Sequence, residues 1–270
     1  VGNIMDISIP KVTTRYTDKI MQELHDIRFF DDSDEMKKRQ STLKIKEEFV
    51  EIPVKTIGMW MSGGADSSLC AWMINKKIRD ENLDIKFQPM SVRRGRPSNP
   101  IYAGNVIDFI EGDLNITMND HIIYYPDIAD EYQREIKEFR DRDVENFNSG
   151  LIEIMYSGIT SNPPDNDMSI FVDKKCEPTR NESAEKPLES VSGLAHYINP
   201  FFQINKKDIK TLYDDFKLTY TLFPITRSCE GDPEDTGNLS YHCGKCWWCE
   251  ERMWAFGFLD NPPPQYIYDN

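Results

Sequence analysis

One short segment restricts the fold of this chain more than any other: Ser62-Gly63-Gly64-Ala65-Asp66-Ser67-Ser68. Val54 to Met61 before it is apolar and β-branched in part, and reads as a buried strand. Leu69 to Ile78 after it reads as a helix. Strand, glycine-rich turn and helix in direct succession build a cradle for an anion. Adjacent glycines let the backbone come close, and a helix N-terminus offers unpaired N–H groups and partial positive charge. Ser62, Ser67 and Ser68 add hydroxyl donors. Asp66 would repel a bare phosphate, so it suits a place facing Mg2+ or backbone N–H groups. An ordinary strand-to-helix turn capped by serines would use the same letters. The buried strand and the serines on both sides of the glycines favour a nucleotide-phosphate site. The segment is not a Walker A loop, which needs Gly-Lys-Ser/Thr.

Four of the six cysteines fall near the C-terminus: Cys229, Cys243, Cys246 and Cys249. Cys-Gly-Lys-Cys-Trp-Trp-Cys contains two overlapping C-x-x-C units, and Cys229 can return across a loop as the fourth ligand. Thiolates at this spacing suit a closed structural Zn2+ site. Three other readings compete. Disulfides need an oxidising compartment, and the N-terminus does not resemble a cleavable signal. An iron–sulfur cluster also uses closely spaced cysteines, but the run ending in cysteine-proline is absent. His242 can replace one cysteine as a ligand. Cys70, on the expected helix, reads as a small core residue, and Cys176 as a free thiol.

Ser62 to Ser67 resembles the PP-loop of the ATP pyrophosphatase superfamily, whose members cut ATP between the α and β phosphates and adenylate a substrate oxygen. With the C-terminal block, the resemblance is to the 7-cyano-7-deazaguanine synthase family. That block comprises Pro200, Lys206-Lys207-Asp208-Ile209, Thr226-Arg227-Ser228-Cys229, the Cys243 to Cys249 run, then Arg252, Ala255, Phe256 and Asp260. The resemblance implies an α/β fold, with a Rossmann-like parallel sheet, flanking helices and a C-terminal four-cysteine zinc segment. It implies 7-carboxy-7-deazaguanine, ammonia and two ATP as inputs, a nitrile as product, and a homodimer. Asp66, Lys206 and Arg227 are then the candidates for managing charge during catalysis, with Lys207 competing for the role of Lys206. Arg252 either does likewise or braces the zinc loop. Residues 80 to 195 depart from the family, and Tyr156 to Asp165 stand where it carries a Gly-Tyr-Pro-Asp-Cys type signature. The same loop motif also serves amide-forming deazaguanine enzymes, tRNA thiolases and sulfonucleotide reductases. A nucleotide sensor without turnover is a further alternative, which the intact Asp66 and serines disfavour.

The 270 residues suit one α/β domain with additions: an extension over 1–50, a nucleotide-binding body over 51–225 and a metal segment over 226–270. A net charge of −14 disfavours a broad nucleic-acid-binding surface. No apolar run approaches a membrane span, and the thiols favour a reducing cytoplasm. Arg93-Arg94-Gly95-Arg96 follows the expected strand Ile85 to Val92. It is either a substrate-facing basic patch or a solvated loop.

Further strands are expected over Asn115 to Tyr125 and Leu151 to Tyr156, and helices over Thr17 to Arg28, Asp127 to Asn146 and Lys207 to Phe216. Strand ends in α/β sheets carry ligands. Tyr156, Gly158, Thr160 and Asn162, with Arg93, are therefore the substrate-reading candidates, against the alternative of a plain Pro-Pro turn. Asp173 to Ser192 is polar and reads as a loop able to order over substrate.

Overall fold

The computed structural model describes residues 12–14, 50–52, 54–92, 98–124, 142–143, 145–147, 149–164, 167, 197–229 and 242–261. Arg93, Cys176, the 17–28 helix and the 173–192 loop lie outside the described residues, as does most of the 127–146 helix.

Five parallel strands form the body: β3 (Thr56–Trp60), β4 (Lys86–Val92), β5 (Ile122–Tyr124), β6 (Ile154–Tyr156) and β7 (Tyr197–Ile198). Their order is β5-β4-β3-β6-β7. The chain therefore winds one way from β3 through β4 to β5, then crosses back and winds the other way through β6 to β7. The reversal falls between β3 and β6, and ligands in such sheets sit beyond the strand ends at this point. A separate antiparallel ribbon pairs β1 (Val12–Thr14) with β2 (Val50–Ile52). Part of the N-terminal stretch thus pairs with the segment just before β3.

Side chains alternate across the sheet as a two-residue period requires. Ile57, Met59, Phe87, Ile154 and Tyr156 face the main core, where the helices pack. Met90 and Met155 face a smaller cluster with Ile152, Trp60 and Tyr124. Four helices frame the described fold: α1 (Ala65–Asp80), α2 (Ser98–Leu114), α3 (Lys206–Asp215) and α4 (Trp247–Phe256). Asn205 caps α3 through a reciprocal box. Its side chain accepts from the Lys207 N–H, and Asp208 accepts from the Asn205 N–H. Tyr213, Phe223, Phe256 and Phe258 pack ring against ring and join α3 and α4 to the core.

Two expected strands are shorter than their sequence suggests. Asn115 adopts a left-handed φ of 51° at the end of α2, and the Met118 N–H bonds back to Glu111. Local turn bonding thus claims the chain as far as Met118, and a backbone bond from the Asn119 N–H to the Phe87 carbonyl precedes β5 at Ile122. Similarly, the Leu151 and Ile152 N–H groups bond to the Asn146 carbonyl rather than to a neighbouring strand. The expected helix over Lys207 to Phe216 is α3, one residue earlier at each end. Helix α2 has no counterpart among the expectations. Pro100, Gly104 and Gly112 obscure it, although Ala103, Val106, Ile107, Ile110 and Leu114 bury one helical stripe. No helix among the described residues is long and apolar enough to cross a membrane.

Candidate functional site

The Ser62–Ser68 loop leaves the end of β3 and enters α1 at the sheet reversal. Gly63 has a φ of +75°, a conformation that side chains rarely adopt. Gly64 is the extended N-cap of α1. The Ser62 hydroxyl accepts from the Gly64 N–H at 3.2 Å and lies 3.1 Å from the Ser67 hydroxyl. Ser68 differs: its hydroxyl is fully buried and donates to the Gly64 carbonyl at 2.7 Å. It closes the first turn of the helix, on the same carbonyl that accepts from the Ser67 hydroxyl at 3.2 Å.

Three segments clamp this loop. A Cβ at Gly63 would sit 2.4 Å from Tyr102 Cβ, so α2 presses directly on the turn. A Cβ at Gly158 would meet the Asp66 and Ser67 backbone at 2.8 Å, so the loop after β6 lies against the start of α1. From the third side, the Arg227 N–H donates to the Gly63 carbonyl at 2.7 Å. Tyr213 adds a fixed point through its hydroxyl, which donates to the Ala65 carbonyl at 2.8 Å.

Charged groups converge on the same place. Lys206, 3% exposed at the first position of α3, donates to Asp66 and lies 3.5 Å from Glu251. Lys207 points elsewhere: it is exposed, sits 4.2 Å from the Trp254 ring and pairs with Asp167. The choice between the two lysines is therefore geometric, because only Lys206 faces the loop. Arg227 Nη1 donates to the Tyr102 hydroxyl at 3.1 Å.

The substrate-reading candidates separate on burial. Tyr156 is 0% exposed within the main core, and burial drives its hydroxyl pKa up, keeping the phenol neutral. Thr160 is also buried. Gly158 and Asn162 are partly exposed. Backbone bonds tie this stretch to the segment before α3, from Ser157 N–H to Ile198 and from Ser161 N–H to Ile204. Cys70 is a core residue, and burial drives its thiol pKa up, keeping it protonated.

The Sγ atoms of Cys229, Cys243, Cys246 and Cys249 all lie within 4.8 Å of one another. Cys243 and Cys249 are 3.8 Å apart. A tetrahedral ion with bonds of about 2.3 Å requires sulfur–sulfur edges of about 3.8 Å. The group therefore fits one thiophilic ion. It is too tight for a four-iron cluster, which spreads its thiolates over separate irons. Backbone N–H groups also point at the sulfurs, from Cys243 to Cys229 at 3.3 Å and from Cys246 to Cys243 at 3.4 Å. Gly244 makes this turn with a φ of +72°. Cys246 and Cys249 stand at the N-terminus of α4, where the helix dipole favours thiolate. Hydrogen bonding from Cys229 and Cys246 raises the Cys249 thiol well above its ordinary value.

His242 is not in this group. Its Nδ1 faces Asp260 at 2.7 Å, and its Nε2 accepts from the Ser228 N–H at 3.3 Å. Burial, then the adjacent Arg252, lowers its pKa to about 4. It acts as a neutral strut.

Arg252 joins the cysteine centre to the segment that holds the Ser62–Ser68 loop. It is fully buried, and its five N–H donors reach the Leu259, Phe223 and Thr226 carbonyls and the Thr226 and Ser228 hydroxyls. Burial lowers its pKa to about 10, which still leaves it charged at neutral pH. Its guanidinium also covers the Phe223 ring at 3.7 Å. Of the two roles open to Arg252, the brace is the one its geometry fits. Tyr102 and Glu251 were not among the expected site residues. Tyr102 sits on the unexpected helix, and Glu251 looks like an ordinary surface acid within Cys-Glu-Glu-Arg.

The sequence matches no protein-family model and no curated protein. Similar solved structures include the U34-tRNA thiolase NcsA from Methanococcus maripaludis with its 4Fe-4S cluster. That likeness has 13% identity, covers 61% of this chain and 57% of that one, and has a TM-score of 0.38. This chain therefore spans little more than half the thiolase's length. A second is the NAD+ synthetase from Burkholderia pseudomallei, at 12% identity over 93% of this chain and 85% of that one, with a TM-score of 0.36. Likenesses this distant assign neither a family nor an activity.

Proposed function

We propose that this chain is an adenylating enzyme that cuts ATP between its α and β phosphates, and that it converts 7-carboxy-7-deazaguanine and ammonia to the 7-cyano base. The observation that carries the reading is the clamped Ser62–Ser67 loop at the sheet reversal, with Lys206 paired to its Asp66 and the Arg227 backbone N–H on its Gly63. The deazaguanine acceptor rests on the motif resemblance of the sequence.

In this reading Ser62, Gly63, Gly64 and Ser67 hold the pyrophosphate end of ATP. Their N–H and hydroxyl groups are fixed before the reaction, so they stabilise leaving-group charge without reorganising. Mg2+ would be held through Asp66 and would neutralise phosphate charge. Arg227, positioned by Tyr102, counters anionic charge on phosphate or carboxylate. Gly158 and Asn162 border the acceptor. Ser68, Tyr156 and Thr160 support the site from within. The four cysteines hold Zn2+, whose role is structural because four thiolates leave no open position for water.

Chemically, a carboxylate oxygen attacks the α-phosphorus and pyrophosphate leaves. Ammonia then displaces AMP, giving the amide after loss of a proton. A second ATP adenylates the amide oxygen and releases pyrophosphate, and loss of AMP and of both protons from the nitrogen leaves the nitrile. Mass spectrometry after incubation with the acid, ammonium and Mg-ATP tests this reading. A nitrile supports it fully, and an amide limits the chemistry to one adenylation. No product from folded protein that binds ATP refutes the deazaguanine acceptor.

A further inference from the structure

Glu251 takes no part in the nucleotide loop or the cysteine cluster, yet it is a carboxyl group with 0% exposure. It lies on α4, and its Oε2 is 3.5 Å from Lys206 Nζ. The same ammonium also donates to Asp66. The exposure of the three side chains rises outward, from 0% at Glu251 through 3% at Lys206 to 17% at Asp66. They form a row: a deep carboxylate, an ammonium, and a carboxylate at the mouth of the loop.

Asp66 alone would balance the charge of Lys206. A second carboxylate taken fully out of water costs several kcal/mol in desolvation, so the arrangement calls for a reason. The reason lies in the competition at Asp66. A divalent cation arriving with a triphosphate is drawn to that carboxylate and repels the ammonium beside it. With Asp66 as its sole carboxylate, Lys206 would become a buried cation without compensation. Glu251 supplies the compensation from the interior side.

We infer that Glu251 is a positioning residue that retains Lys206 when Asp66 turns to a divalent cation, making the nucleotide loop competent for metal-bound nucleotide. The inference rests on the reading of Ser62–Ser67 as an ATP site. Glu251 touches neither the nucleotide nor the cation, and acts only through the lysine.

The test is calorimetry on the full chain, with ATP in EDTA and with ATP plus Mg2+. The ratio of the two affinities is the tightening contributed by the cation. Glu251→Gln should cut that ratio about tenfold while leaving the EDTA affinity within about twofold, a coupling of ordinary size for neighbours in one charge network. Glu251→Asp should restore most of it. In a Lys206→Met background the ammonium is absent, so adding Glu251→Gln should leave the ratio unchanged. That pair stays informative even where Glu251→Gln alone fails to fold, since no unpaired ammonium remains. A wild-type ratio in Glu251→Gln overturns the inference, as does a further large loss in the Lys206→Met background. Absence of ATP binding in the wild type, or of any tightening by Mg2+, overturns the ATP-site reading and this inference with it.

Discussion

Gly158 marks how closely the site is built. Its Cα approaches the backbone of Asp66 and Ser67 so closely that a methyl group would lie 2.8 Å from three main-chain atoms. Backbone cannot swing aside as a flexible side chain can. Gly158→Ala should therefore destabilise the fold by about 1–3 kcal/mol and weaken ATP binding in parallel. Thermal unfolding and calorimetry read the two effects, and an unchanged variant contradicts the close approach. Asp143 offers a pH test on the other face of the sheet. Burial raises its carboxyl pKa from 3.8 to about 7, although the Trp60 indole N–H donates to it at 2.7 Å. The folded chain holds this proton where the unfolded chain has lost it. The contribution is full below about pH 4 and is lost as pH rises through 7, by at most about 1.4 kcal/mol per pH unit. Asp143→Asn should remove that slope, so its stability relative to wild type should rise between pH 4 and 7. A parallel pair of curves would refute the assignment. Neither residue announces its role in sequence. Gly158 reads as a turn glycine and Asp143 as one acid in a charged helix, because burial depends on partners distant along the chain.

At the scale of elements, α4 ties the cysteine centre to the Ser62–Ser68 loop. Its N-terminus holds Cys246 and Cys249, its second turn holds Arg252, and Arg252 grips the Phe223–Ser228 stretch whose Arg227 N–H holds Gly63. The cysteine centre is thus linked mechanically to the Ser62–Ser68 loop. Stripping the ion with a chelator should lower the unfolding temperature and weaken ATP binding about tenfold or more, since the loss of one anchor propagates through a shared hydrogen-bond network. Metal analysis should find zinc at a single ion per chain. Metal-free protein with unchanged melting and ATP affinity would break the link. The sequence displays the elements unequally. The strand before Ser62 and the helix at Lys206 carry clear apolar periodicity and were legible. Helix α2 was not, because its glycines and Pro100 mimic loop punctuation while its buried stripe is visible only in register with α1 and β4. The β5 and β6 strands were overextended, because isoleucine and tyrosine favour strands wherever they stand, while nearby Asn146 and Glu111 claim flanking backbone N–H groups in turns that composition alone does not reveal.

The whole molecule joins a doubly wound sheet, whose reversal point offers one binding place, to a cysteine centre that stiffens one wall of it. The loop motif and the cysteine spacing were both readable from residues 62–68 and 229–249, because each is a local pattern imposed by local chemistry. The Asp66–Lys206–Glu251 row was legible only in part, since it is assembled from α1, α3 and α4 by packing. The central claim is that a substrate oxygen attacks the α-phosphorus of ATP at this place. Incubating the protein with heavy-oxygen-labelled 7-carboxy-7-deazaguanine, ammonium and Mg-ATP, and weighing the nucleotide products, tests it directly. The account predicts that the label leaves the carboxylate and appears in the phosphate of AMP, with unlabelled pyrophosphate beside it. Formation of ADP, or of AMP without label, would contradict it.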